Sequence, residues 1–152
     1  MFEKIMKFIL DKIPQKQTII PQFSGLMPIA NIINKLPTHP TKTWGRRTLD
    51  RIDTLIVHQA ATKATGSNNY IESIARYHTT PTSDRNKNGK IDAWERNHLS
   101  AEGAPGICYH FVISRSGKIF QCNKLSNVTW HAKGWNTRSI GVLICGDFVG
   151  PT

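Results

Sequence analysis

Long apolar runs are missing from this chain of 152 residues. No stretch reaches the roughly 18 apolar residues that a membrane-spanning helix needs, so no transmembrane segment is expected. Acidic residues are scarce: ten Asp and Glu stand against twenty Lys and Arg, for a formal net charge of +10. Such an excess favours an acidic partner, and nucleic acid, anionic lipid and acidic wall polymers all qualify; a merely solvated basic surface gives the same number. The lysines are dispersed and no nucleic-acid motif occurs, so nucleic acid is not expected. Cysteine is limited to Cys108, Cys122 and Cys145, none in a CxxC pair and all in apolar runs. An odd count in that setting argues against a disulfide framework and for buried free thiols. That suits synthesis in a reducing cytoplasm. The N-terminus lacks the long apolar stretch and small-residue cleavage site of a secretory signal, because Asp11 and Lys12 interrupt it. Internal repeats and low-complexity tracts are absent as well.

What is present describes one globular domain with extensions. Hydrophobic residues make up 39% and charged residues 20%, which suffices for a real core. Phe2, Ile5, Met6, Ile9 and Ile13 fall on one helical face, and Pro14 ends the pattern. This amphipathic helix either docks on protein or lies on a membrane surface. Prolines 14, 21, 28, 37 and 40 then mark an extended arm, with one apolar segment, residues 29–36, long enough for a helical turn or two. We place the helix and arm at residues 1–43 and the domain at residues 44–152.

Within the domain the element types alternate. Residues 52–58 read as a buried strand, and Ile71, Ile74, Ala75 and His78 give residues 69–78 helical spacing. Residues 107–114 and 118–122 flank Ser116-Gly117 and read as a hairpin. Residues 139–145 read as a last strand. The class is α/β, with a mixed central sheet flanked by helices.

Residues 79–105 form an insertion that contains DRNKNGKIDAWE, which fits D-x-[DN]-x-[DN]-G-x5-E at every position. Asp84, Asn86 and Asn88 place side-chain oxygens at alternate positions, and Gly89 permits the bend. Lys90 offers its carbonyl, Asp92 acts through water, and Glu95 can bind with both oxygens. The pattern resembles an EF-hand calcium loop, though Thr79–Ser83 makes an entering helix doubtful and only residues 92–99 can form an exiting one. A polar Asn-Gly turn is the plain alternative. A structural calcium ion of modest affinity is expected, about 10⁻⁴–10⁻³ M or somewhat tighter.

The chemistry-bearing segments come in a fixed order: VH ending at His58, YHF at residues 109–111, SGKI at 116–119, WHAKG at 130–134 and NTRSIGV at 136–142. A strand-end histidine is usually just a polar residue, and a strand tyrosine is usually structural. Taken together, the ordered set resembles the zinc-dependent N-acetylmuramoyl-L-alanine amidase family, which includes phage lysozyme-type amidases and peptidoglycan recognition proteins. The match runs from about Trp44 to Phe148, apart from the insertion.

The resemblance implies an amidase-like fold and peptidoglycan as partner. It implies that His58 is the first zinc ligand and Tyr109 the catalytic tyrosine, bonding the scissile carbonyl or its oxyanion. His131 becomes a substrate or transition-state contact, and Asn136 and Arg138 are assigned to the glycan or stem peptide. Trp130 and Trp135 offer stacking faces or fill core. The implied reaction is cleavage of the N-acetylmuramoyl–L-alanine bond by zinc-activated water, whose pKa the metal lowers to roughly 7. The protein would act at the bacterial cell wall, as a phage endolysin or a wall-remodelling enzyme. In the family a second zinc histidine and a Cys or Asp lie downstream of the GDF segment, and residue 59, often His or Cys there, is Gln59. The sequence reads to Thr152, so the ligand set is expected to be incomplete. A truncated chain, a site completed by a partner chain, and a non-catalytic peptidoglycan-binding module are the three readings. His78, His110 and His131 are the remaining imidazoles that zinc could recruit.

Overall fold

The computed structural model describes residues 28–60, 68–97 and 99–148. The amphipathic helix expected at the N-terminus, and the part of the arm before Pro28, lie outside the described residues. The described chain carries seven strands: β1 (Ile29–Asn31), β2 (Gly45–Arg46), β3 (Thr54–Gln59), β4 (Phe111–Ile113), β5 (Ile119–Gln121), β6 (Asn127–Val128) and β7 (Ser139–Ile144). Its one α-helix, α1, covers Asn68–Thr79.

Five strands form a mixed sheet in the order β1-β5-β4-β7-β3, and β2 pairs with β6 in a small separate sheet. β3, β7 and β4 run parallel, β5 returns antiparallel, and β1 is parallel to β5. The α/β class with a mixed central sheet is therefore what the chain adopts.

Period-two alternation divides the core between the two faces. Val112, Phe120 and Leu143 point to one side, where Ile71 and Ala75 of α1 pack on them. Phe111, Ile113, Ile119, Ile140 and Val142 point to the other, over Ile52. Ile71 and Ala75 are four residues apart, so one stripe of α1 meets the sheet. All three cysteines are free and buried, as their apolar neighbours suggest.

Four local expectations change. Residues 29–36 are helical only in part: β1 takes the first three into the main sheet, and the one helical turn is a 3-10 turn at Ile33–Lys35. Strand β4 starts at Phe111 rather than at residue 107. Its approach is held by side-chain bonds instead of a regular ladder, with the Cys108 N–H donating to His78 Nδ1 at 3.0 Å. β3 is an edge strand, with Val57 39% exposed, so its apolar run is only half covered. The exiting helix over residues 92–99 shrinks to one 3-10 turn, Ala93–Glu95. The hairpin holds: Ser114 N–H donates to the Lys118 carbonyl, and Gly117 takes the turn at φ 82°.

α1 stops where Pro81 removes a donor, and its last carbonyls find other partners. Thr79 Oγ1 donates to the Ala75 carbonyl, and Thr80 Oγ1 to that of Arg76. From the insertion, Asn97 Nδ2 reaches the carbonyls of Tyr77, His78 and Thr80 at 2.9–3.0 Å.

Candidate functional site

Three side chains from three parts of the chain meet beside β7. His58 stands next to last in β3, in register with Leu143 of β7. Tyr109 lies two residues before β4. His131 comes from the loop between β6 and β7. His58 Nε2 and His131 Nδ1 are 3.3 Å apart, and the His58 and Tyr109 ring centroids are 5.3 Å apart. All three side chains are partly exposed, so the cluster is open to a ligand.

Gly141 makes this meeting possible. A Cβ built there would stand 2.5 Å from His131 Cγ, well inside contact. A glycine inside a strand marks a close approach, and here the imidazole lies on the sheet. That signal was present in the RSIGV run.

Burial sets the protonation states. Desolvation lowers the pKa of His58 and takes that of His131 down to about 4, with the neighbouring His58 as a further cause. Both imidazoles are neutral at physiological pH. Tyr109 is pushed up to about 12 by desolvation, with Cys108 adding to the shift, so its phenol keeps its proton.

Beneath the cluster lies a polar network that the sequence reading did not contain. Arg47 is buried; its Nε donates to the Leu125 carbonyl, and its Nη1 to the carbonyls of Asn136 and Ser139. Burial takes its pKa down to about 10, which still leaves it charged. His110 is fully buried, and its Nδ1 accepts the Gly141 N–H at 3.1 Å. A nitrogen that accepts is bare, so the proton sits on Nε2 and goes to the Asn127 carbonyl at 3.0 Å. Both nitrogens are thereby committed, and desolvation with the Arg47 charge takes this histidine down to about 3.

The other expected contacts lie elsewhere. Asn136 Oδ1 accepts the N–H groups of His131 and Ala132 and so shapes the loop that carries His131. The Arg138 guanidinium grips Asp53 through Nε and Nη2 and covers the Trp135 ring, 5.2 Å from its centroid. Arg138 precedes β7, whereas His58 pairs with the fifth residue of that strand, about 16 Å further along the chain. Trp130 meets Trp44 edge to face at 5.8 Å.

Zinc needs three protein donors and one open position. His58 and His131 supply two neighbouring imidazoles. His110 is spent on Gly141 and Asn127, and His78 Nδ1 is spent on Cys108. Among the described residues no group of three His, Cys, Asp or Glu could hold a metal ion. The described donors therefore do not fit a complete zinc site, and no chemical step is assigned to zinc.

The insertion loop closes on itself. Asp84 accepts the N–H groups of Asn88 and Gly89, Asn86 that of Asn88, and Asn88 that of Lys90. Asn86 Nδ2 and Asn88 Nδ2 both donate to Asp92 Oδ2. Glu95 is fully buried, and its carboxylate takes the N–H groups of Arg85, Asn86 and Asp92. Lys87 (φ 58°) and Gly89 (φ 83°) supply the left-handed turns.

Comparison with known proteins supports this fold. Among curated proteins, peptidoglycan-recognition protein SC1a of Drosophila melanogaster is 27% identical over 86 residues, covering 55% of this chain and 46% of that protein. Peptidoglycan-recognition protein 1 of Holotrichia diomphalia is 28% identical over 86 residues, covering 51% and 41%. The chain thus matches less than half the length of these relatives. Among solved structures, peptidoglycan recognition protein-LE in complex with tracheal cytotoxin superposes at TM-score 0.55 and 18% identity, covering 78% of this chain and 59% of that one. The Ph2119 endolysin of a Thermus scotoductus bacteriophage superposes at 0.52 and 16%, covering 80% and 62%. The sequence profile for N-acetylmuramoyl-L-alanine amidase matches residues 48–152, most of the chain, which belongs to that family.

Proposed function

We propose that the protein binds peptidoglycan at the His58–Tyr109–His131 face, contacting the junction between muramic acid and the stem peptide. The observation that carries this reading is the convergence of three neutral, partly exposed polar side chains from separate elements. An amide junction presents a carbonyl and an N–H. The protonated Tyr109 phenol can donate to the first, and a neutral imidazole can accept from the second. The basic surface adds a general attraction to an acidic wall. The test is co-sedimentation with purified peptidoglycan. The wild type is expected to pellet, and His58→Ala and Tyr109→Phe to weaken binding about tenfold each, the worth of one good hydrogen bond. Folded wild-type protein that stays in the supernatant sinks the proposal.

Hydrolysis of the same amide is the second reading, and Tyr109 favours it. A phenol held protonated beside a neutral imidazole can stabilise charge growing on the carbonyl oxygen. Release of free stem peptide from peptidoglycan, assayed with and without added zinc, separates an enzyme from a binding module.

For the insertion we propose a structural calcium ion, held by Asp84, Asn86, Asn88, the Lys90 carbonyl, Asp92 and Glu95. The support is the complete twelve-residue pattern together with a backbone already wrapped around Asp84 and Glu95.

A further inference from the structure

Ser139 opens β7 and is fully buried, although it is polar. Its Oγ lies 2.7 Å from the Trp135 carbonyl and 3.1 Å from His131 Nε2. A carbonyl can only accept, so the single hydroxyl proton goes to Trp135. Towards His131, Oγ then has only a lone pair to offer. If Nε2 were bare, two lone pairs would face each other at 3.1 Å. His131 must therefore carry its proton on Nε2 and leave Nδ1 bare.

The same reasoning passes one residue further. His131 Nδ1 faces His58 Nε2 at 3.3 Å. A bare Nδ1 accepts, so His58 Nε2 must donate. In the neutral ring that leaves Nδ1 as the bare nitrogen of His58, and no described residue is recorded as bonding it.

We propose that Ser139 is a positioning residue: through His131 it fixes the tautomer of His58 and leaves His58 Nδ1 as the acceptor that meets a ligand. The direction of the whole chain, from His58 to His131 to Ser139 to the Trp135 carbonyl, is set at its buried end. This deepens the reading of the face as the binding site and rests on it for its purpose. The tautomers themselves are measured without peptidoglycan, so the two ideas fail separately.

The experiment is a long-range nitrogen–proton correlation spectrum of the full ¹⁵N-labelled chain at pH 8, with ring signals assigned by His58→Gln and His131→Gln. In the wild type, both histidines are expected to show a protonated Nε2 and a bare Nδ1. In Ser139→Ala the His131 pattern should collapse toward averaged nitrogen shifts and the His58 pattern should follow. Ser139→Thr, which keeps the hydroxyl, should restore both. A wild-type His58 with its proton on Nδ1 overturns the proposal without any variant, which covers the case where Ser139→Ala does not fold. Unchanged ring patterns in a folded Ser139→Ala overturn it too.

Discussion

Arg47 and His110, 63 positions apart, bring Nη2 and Nε2 within 2.9 Å of each other in the buried layer beneath His131. Both nitrogens carry protons, because His110 Nδ1 already accepts from Gly141. The contact is therefore not a shared proton but a meeting of two donors, with the Nε2 proton going to the Asn127 carbonyl. It keeps His110 neutral and holds the β6–β7 loop against the sheet.

Arg47→Met should accordingly be severe. It strands the carbonyls of Leu125, Asn136 and Ser139, at least one of them buried, and the cost is about 3 kcal/mol. Arg47→Lys should recover little, since one ammonium cannot span the same fork. Urea unfolding midpoints check both; a loss under 1 kcal/mol for Arg47→Met would contradict the network.

Gly141→Ala places a methyl group against His131 Cγ. The imidazole must leave the sheet, at about 1–3 kcal/mol of stability. Peptidoglycan co-sedimentation should fall, and His131→Ala should lower it to the same extent. Retained binding would show that His131 is not part of the contact surface.

Acid should unfold the protein early. His110 and His131 are held at about 3 and about 4, below the ordinary value of 6.5. Below pH 6.5 the unfolded chain takes protons that the folded chain refuses, so stability falls with pH down through these values. The pH dependence of the urea midpoint between 7 and 4 measures it, and His110→Gln should flatten the slope. A flat wild-type profile contradicts the assignment.

Calcium should raise the melting temperature, and Glu95→Gln should abolish the response while leaving the His58 face unchanged. Thermal scans with added calcium or with chelator decide this. An identical melting temperature in millimolar calcium and in chelator removes the ion from the description.

The readable parts of the fold are those whose signal is local. α1 follows from Ile71, Ile74, Ala75 and His78, and the β4–β5 hairpin from two apolar runs around Ser116-Gly117. β1 is invisible in this sense: three residues become a strand only because β5 lies beside them. His58, Tyr109 and His131 stand out by the order of their motifs, and the structure brings them together. Arg47 does not stand out, because its carbonyl partners lie 78 to 92 positions away. Nor does the sequence tell that Asn136 serves its own loop and Arg138 the carboxylate of Asp53.

Asn97 joins one end of the long excursion to the end of α1, and Gly103 passes so close to the Thr79 carbonyl that no Cβ would fit. The two crossings act as a drawstring at the neck of a pouch. Lengthening a loop that is closed at its neck costs only about 0.6 kcal/mol per doubling. The contents between residues 82 and 96 can thus be exchanged or extended while His78, one step from Tyr109, stays where it is.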